Sequence, residues 1–152
     1  MEKRIIYKRP GKEPEIMEVS AKYRCDIKHL IANADIVEHA PLIPMRDGTV
    51  LMVLIDEDGH PKGLPFNLYL PMNNRYFPIQ MMVGDVIITK FKPDTIFEDD
   101  YDFQIESLTS SDIRWALTFF KDNVQLKLQK KFKEMFPTKS SYLEPKVVSF
   151  DW

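Results

Sequence analysis

The chain is poor in the residues that build covalent or metal-held scaffolds. It has one cysteine, Cys25, among 152 residues, which excludes an internal disulfide and a cysteine-based zinc site. Its three histidines follow no metal-ligand spacing, and its five glycines are dispersed rather than gathered into a phosphate-binding loop. We therefore predict a fold that is held together by its apolar core and that carries no cofactor.

Long apolar runs and an excess of positive charge are also missing. No apolar stretch approaches the roughly 20 residues that a membrane-spanning helix needs, and residues 1–12 are too charged for a signal peptide. The net charge of −2 argues against a dedicated nucleic-acid-binding protein, which would carry a basic face. These features predict a cytoplasmic protein that binds neither a membrane nor nucleic acid.

Short runs of β-branched and aromatic residues predict an α+β fold with a mixed or mainly antiparallel sheet of about five strands. The central run, residues 49–55, is apolar on both alternating faces, as expected for a strand that is covered on both sides. We expect a hairpin here: an acidic turn at residues 56–59, in which Gly59 supplies a positive φ, and an irregular second arm at residues 62–70. The other predicted strands are residues 4–8, 15–19, 35–43 and 86–91.

Two regions have helical spacing. Residues 23–34 are predicted to form a short amphipathic helix on the sheet. A longer region begins with a capping box between Thr109 and Asp112, and the pattern of residues 108–136 fits either one helix or two with a break at residues 122–123. We treat residues 1–107 as an α+β core domain and residues 108–152 as a helical extension with an apolar tail, within one compact unit.

Charges and aromatic rings are unevenly distributed along the second half of the chain. Residues 94–112 carry seven acidic residues and no basic one, whereas residues 121–139 carry six lysines and two acidic residues. Such asymmetry can steer a protein partner, or pair two copies as a homodimer through the C-terminal helix or tail. The candidate partner-binding residues are Phe97, Tyr101, Phe103, Lys127, Lys130, Lys131, Phe150 and Trp152.

A small-ligand site is the alternative hypothesis. Arg9 and Lys12 flank a turn where they could contact a phosphate, and Asn67 could contact a base, so that the protein would sequester a nucleotide signal. A second alternative is a metal-dependent hydrolase that uses the Asp56–His60 turn. Because the sequence contains no recognisable catalytic constellation, we predict a protein that is not an enzyme.

Four short motifs follow one another along the chain: PGKEP (residues 10–14), EDG (57–59), GLPFN (63–67) and VGD (83–85). In this order they resemble a family of small phage and mobile-element proteins that is described only as a domain of unknown function. The resemblance covers residues 3–113, although Asp56 replaces the more usual asparagine. It implies no catalytic residue, but it implies a context: a protein in the host bacterial cytoplasm. In that context, the predicted function is to bind and inhibit or redirect a host protein of defence or transcription.

Overall fold

Two stacked β-sheets form the framework of the protein. The structure is a computed structural model and describes residues 2–31, 34, 37–42, 50–92 and 104–137. The large sheet has the order β2-β1-β7-β4-β3, with β8 beside β7, and the small sheet pairs β5 with β6. The strands are β1 (Glu2–Lys8), β2 (Glu15–Ser20), β3 (Val37–Pro41), β4 (Leu51–Asp56), β5 (Phe66–Pro71), β6 (Ile79–Val83), β7 (Val86–Phe91) and β8 (Ile105–Glu106).

Every strand pair in the described residues is antiparallel, which confirms the α+β class and the mainly antiparallel sheet. Strand β4 lies between β3 and β7 and is covered on both faces, as its apolar pattern predicts. Leu51 and Val53 pack towards the small sheet, while Leu54 packs on the opposite face. The alternation of side chains along one strand therefore supplies two separate cores.

The predicted hairpin with arms at residues 49–55 and 62–70 is wrong, because β4 and β5 do not pair with each other. Instead, the chain passes from the large sheet to the small one through the acidic turn and the further turns that follow it. In these turns Lys62 N–H donates to the Asp58 carbonyl oxygen and Gly63 N–H donates to the His60 carbonyl oxygen. The positive φ, 68°, belongs to Gly63 rather than to Gly59. Gly59 lies in a tight space instead, since a Cβ there would stand 3.0 Å from a methyl group of Val83, which would have to shift.

The predicted helix over residues 23–34 is also wrong, and two single 3-10 turns, Arg24–Asp26 and Lys28–Leu30, take its place. The Asp26 carboxylate accepts hydrogen bonds from the N–H groups of Lys22 and Tyr23 at 2.9 and 2.8 Å, which stabilises a local turn. An isolated helix of this length is marginal, so local hydrogen bonds and packing decide its form. The apolar contact with the sheet is nevertheless made, since Ile27 and Ile31 are buried.

The C-terminal region forms two α-helices rather than one. Helix α1 (Ser110–Leu117) continues into a 3-10 turn at Thr118–Phe120, and α2 (Asp122–Met135) follows after Lys121, which is extended. The predicted capping box is confirmed: Thr109 Oγ1 accepts from Asp112 N–H at 3.0 Å, and the Asp112 carboxylate accepts from Thr109 N–H at 2.8 Å. Lys90 Nζ lies 3.1 Å from the same carboxylate, which ties the start of α1 to β7.

The elements stack in four layers. The 3-10 turns of residues 24–30 cover one face of the large sheet, while the small sheet and α1 cover the other. Helix α2 then covers the outer face of the small sheet. None of the helices in the described part of the chain is long and apolar enough to cross a membrane.

We expect Thr89→Val to stabilise the fold. Thr89 is fully buried in β7, and its hydroxyl has no hydrogen-bond partner among the residues that the structure describes. An unpaired buried hydroxyl costs about 1–3 kcal/mol, so its replacement by a methyl group should raise the free energy of unfolding, as measured with urea, by about 1 kcal/mol. The same substitution at Thr109, where the hydroxyl caps α1, should lower it by about 1 kcal/mol. A loss of stability in both variants would contradict the conclusion that the buried Thr89 hydroxyl is unpaired.

Candidate binding surface

Asn67, the residue predicted to contact a base, uses its polar atoms inside the fold. Its side-chain Nδ2 donates to the carbonyl oxygens of Lys8 at 2.8 Å and Gly84 at 2.7 Å, and its Oδ1 accepts from Lys8 Nζ at 3.0 Å. Burial lowers the pKa of the Lys8 ammonium in this contact. Because Asn67 is only 8% exposed, we assign it a structural role: it joins β5 to β1 and to the turn before β7.

Arg9 and Lys12 lie on the turn between β1 and β2. The Arg9 guanidinium forms an ion pair with Glu15 at 3.0 Å and stands 4.8 Å from the centre of the Tyr7 ring. Lys12 is exposed, and its N–H donates to the Arg9 carbonyl oxygen within the turn. Arg9 and Lys12 are thus exposed on the turn whereas Asn67 is buried, and a nucleotide contact at Arg9 or Lys12 stays a prediction.

The acidic turn after β4 is organised by Asp56. Its carboxylate accepts from Lys62 Nζ at 2.8 Å and from Asp58 N–H at 2.9 Å. Burial alone would raise the pKa of the Asp56 carboxyl, but these two donors outweigh it and hold the pKa below its usual range. His60 is exposed, and the described residues contain no group of three or more histidine, cysteine or acidic side chains placed to hold a metal.

A cleft of about 770 Å³ lies near the start of β1 and is lined by Lys3, Lys22 and Lys92 among other residues. Lys3 Nζ donates to the Ile105 carbonyl oxygen at 3.0 Å. Lys22 Nζ lies 5.3 Å from the centre of the Tyr23 ring. The Lys3 hydrogen bond ties β8 to β1, whereas the Lys22 contact is with the neighbouring residue in the chain.

The predicted partner-binding residues divide into two groups. Lys127 and Lys130 are exposed on α2, and Lys131 is half-buried there. The other five lie outside the described residues: Phe97, Tyr101, Phe103, Phe150 and Trp152.

A row of five aromatic rings crosses the small sheet and α2. Ring centres are 5.1 Å apart for Phe66 and Tyr69, and 5.2 Å apart for Tyr69 and Phe132. The row continues at 5.0 Å to Phe136 and at 6.0 Å to Phe77. The three inner rings are buried, whereas Phe66 is 48% and Phe77 37% exposed at the two ends. The row thus connects the interior of the protein to two exposed aromatic positions.

A shallow groove lies on each side of α2 where the helix crosses the outer face of the small sheet, one beside β5 and the other beside β6. The β5 groove, of about 280 Å³, is lined by Phe66, Tyr69, Leu126 and the polar residues Asp122, Gln125 and Gln129. The β6 groove, of about 260 Å³, lies on the other side and is lined by His60, Phe77, Ile79, Gln80, Met81, Phe132 and Phe136.

Leu126 is the most exposed large apolar residue in the described part of the chain, at 66%. Beyond it, a hollow of about 430 Å³ extends the β5 groove along α2 and is lined by Leu126, Gln129, Lys130, Lys133 and Glu134. The β5 groove and this hollow therefore form one continuous surface, which combines an aliphatic centre with lysines at one end.

Gln125 holds α2 against the free edge of β5. Its side-chain Oε1 accepts from Tyr69 N–H at 2.9 Å, and its Nε2 donates to the Tyr69 carbonyl oxygen at 2.8 Å. Nε2 also donates to the Phe119 carbonyl oxygen. The amide thus occupies the two backbone groups of Tyr69 that a neighbouring strand would otherwise pair with. Two residues further along the same edge stands Pro71, which has no N–H to offer.

Sequence reasoning missed Phe66, Tyr69 and Leu126. One signal was available for Leu126, because it lies outside the apolar stripe that includes Val124 and Leu128 and so falls on the otherwise polar face of α2. The exposure of Phe66 had no comparable signal, since it depends on how β5 is covered.

No family model, curated protein or solved structure matches the chain. The phage or mobile-element context therefore still rests on the resemblance of the four short motifs.

We expect Gln125→Leu to destabilise the protein and to uncover the edge of β5. Loss of the amide leaves two buried backbone groups of Tyr69 unpaired, which should lower the free energy of unfolding by about 2 kcal/mol. Hydrogen exchange at the Tyr69 amide should accelerate at the same time. The matched control is Gln129→Leu, one turn further along α2, which should change stability by no more than about 0.5 kcal/mol. Equal effects of the two substitutions would contradict the role of Gln125.

Asp56→Asn should destabilise the protein in a pH-dependent manner. Its folded-state pKa lies below the unfolded value of about 3.9. Its stabilising contribution is therefore fully present above about pH 4 and is lost as the pH falls through the folded-state pKa. The variant should lose about 2 kcal/mol of folding free energy at pH 7, and its difference in stability from the wild type should narrow as the pH falls below about 4. The control Asp58→Asn, on the exposed part of the turn, should lie within about 0.5 kcal/mol of the wild type. A difference for Asp56→Asn that does not vary with pH would contradict the ion pair with Lys62.

Proposed function

We propose that the protein is a non-enzymatic binding protein, and that another protein is its partner, bound at the surface that β5, β6 and α2 form. The observation that carries this proposal is the aromatic row, whose exposed ends Phe66 and Phe77 flank α2. Aromatic side chains dominate the binding energy of protein interfaces because they bury a large area with few rotatable bonds. Leu126, exposed on α2 next to Phe66 in the same groove, adds an aliphatic contact.

The rigidity of this surface supports the proposal. Phe66 contacts the buried Tyr69 ring, and α2 is fixed by Gln125 and by the buried residues Leu128 and Phe132. A partner that binds here does not need to order a loose segment, so little binding energy is lost to conformational entropy. Rigid exposed apolar groups of this kind are typical of interaction sites.

We extend the proposal to the role of the complex. The four motifs resemble proteins of phages and mobile elements, and the sequence contains no recognisable catalytic constellation. Both features favour a protein that acts by occupying the surface of a bacterial host protein, which it thereby inhibits or redirects. A defence or transcription component of the host is the expected partner.

Substitution of the exposed apolar residues tests this function. Wild type, Phe66→Ser and Leu126→Ser would be immobilised and incubated with bacterial lysate, and any captured protein would be purified and titrated against each form. We expect Phe66→Ser and Leu126→Ser to weaken its binding by about tenfold or more, with little change in stability because both side chains are exposed.

The matched control is Ile16→Ser. Ile16 is also an exposed apolar residue, at 45%, but it lies on β2 in the large sheet. The Ile16→Ser variant should bind the captured protein as the wild type does. A partner whose binding is unaffected by Phe66→Ser and Leu126→Ser, or is equally weakened by Ile16→Ser, would show that the aromatic row is not the binding surface.

A further inference from the structure

We propose that the β5 groove and the hollow that extends it bind an acidic amphipathic helix of the partner. This inference rests on the proposed function and specifies the chemistry of the segment that is bound. Three observations support it: the blocked edge of β5, the charge of α2 and the length of the groove.

The blocked edge excludes binding as an added strand. A peptide can extend a sheet only where the edge strand offers free N–H and C=O groups. At the outer edge of β5, both backbone groups of Tyr69 are bonded to Gln125, and Pro71 lacks an N–H. A segment that occupies this groove must therefore satisfy its own backbone hydrogen bonds, which a helix does.

The charge of α2 selects an acidic occupant. Residues 127–134 contain four lysines and one glutamate, a local charge of +3 in a chain whose net charge is −2. Lys130 and Lys133 line the hollow beside Leu126 together with one acidic residue, Glu134, so the lining of the hollow has a net charge of +1. Charge complementarity of this kind favours carboxylates on the partner and disfavours a basic helix.

The charge is also graded along the surface. Asp122 lines the β5 groove near Phe66 and Tyr69, whereas Lys130 and Lys133 lie at the opposite end. An occupant should therefore place its apolar residues against Phe66 and Leu126, and its carboxylates over the last two turns of α2. From Asp122 to Lys133, α2 extends about 16 Å, so a partner helix of about three turns would span the surface.

Two synthetic peptides test this inference. Both have about 16 residues, blocked ends and the same leucines on one helical face. One carries glutamate and the other lysine on its polar face. Each is titrated into the isotope-labelled full chain and followed by NMR.

We expect the glutamate peptide to shift the amide signals of Phe66, Leu126 and Lys130, and to bind about tenfold or more tightly than the lysine peptide. Its affinity should fall as salt is raised. The double variant Lys130→Glu, Lys133→Glu should weaken its binding by about tenfold. The control is the double variant Lys12→Glu, Lys28→Glu, which changes the net charge by the same amount at exposed positions in the β1–β2 turn and in the second 3-10 turn. It should bind the glutamate peptide as the wild type does.

Equal affinity for the two peptides, preference for the lysine peptide, or shifts confined to other surfaces would overturn the inference. A wild-type dimer that becomes a monomer with Leu126→Ser in analytical ultracentrifugation would also overturn it, because a second copy would then fill the groove. If the glutamate peptide fails but a lysate protein still binds in a Leu126-dependent manner, the proposed function stands without this inference. If the peptide binds as expected while no lysate protein depends on Phe66 or Leu126, the proposed function fails instead.

Discussion

A two-stranded sheet is not stable in water by itself, and this constraint determines the arrangement around β5 and β6. Leu68 and Leu70 bury one face of the small sheet against the large one, and α2 buries the other face. The free edge of β5 remains, and the Gln125 amide occupies it. The position of α2 is thus determined by the apolar outer face of the small sheet and by the unpaired edge of β5, both of which the helix covers. In that position Phe132 and Phe136 of the chain contact Tyr69 and Phe77 and complete the aromatic row.

Buried polar groups fix how the layers meet. Asn67 bonds to β1 and to the turn after β6, so it joins the two sheets at one point. Asp112 accepts from Lys90 and from the Thr109 N–H, which seats α1 on the large sheet. Apolar packing is not directional, whereas these hydrogen bonds are satisfied in one arrangement only. They therefore select the stacking that the cores stabilise.

Local signals in the sequence predicted the elements whose geometry is local. The predicted strands over residues 4–8 and 15–19 correspond to β1 and β2. The capping box depends on two residues three positions apart, Thr109 and Asp112. Local signals could not predict which strand β5 pairs with. A strand that is covered on both faces has the same continuous apolar pattern whichever sheet it belongs to. Residues 23–34 have the apolar spacing of a helix, but the Asp26 carboxylate stabilises a tighter turn.

The candidate surface was less predictable than the fold. Lys127 and Lys130 could be recognised as exposed from the polar face of α2. Asn67 was predicted to contact a ligand, but its hydrogen-bond partners lie 59 and 17 residues away in the chain. The exposure of Phe66 depends on tertiary packing between β5 and α2, and no local pattern encodes it.

The late position of α2 in the chain also has a consequence for synthesis. Protein domains begin to fold from the N-terminus as they leave the ribosome. Tyr69, Ile79 and Met81, which α2 covers in the finished protein, are translated 54 residues or more before the end of that helix at Met135. For that interval the nascent chain presents an uncovered apolar face and the unpaired edge of β5, which are the features that recruit chaperones and promote aggregation. The helix that forms the candidate binding surface is therefore also the element that ends this vulnerable stage of folding.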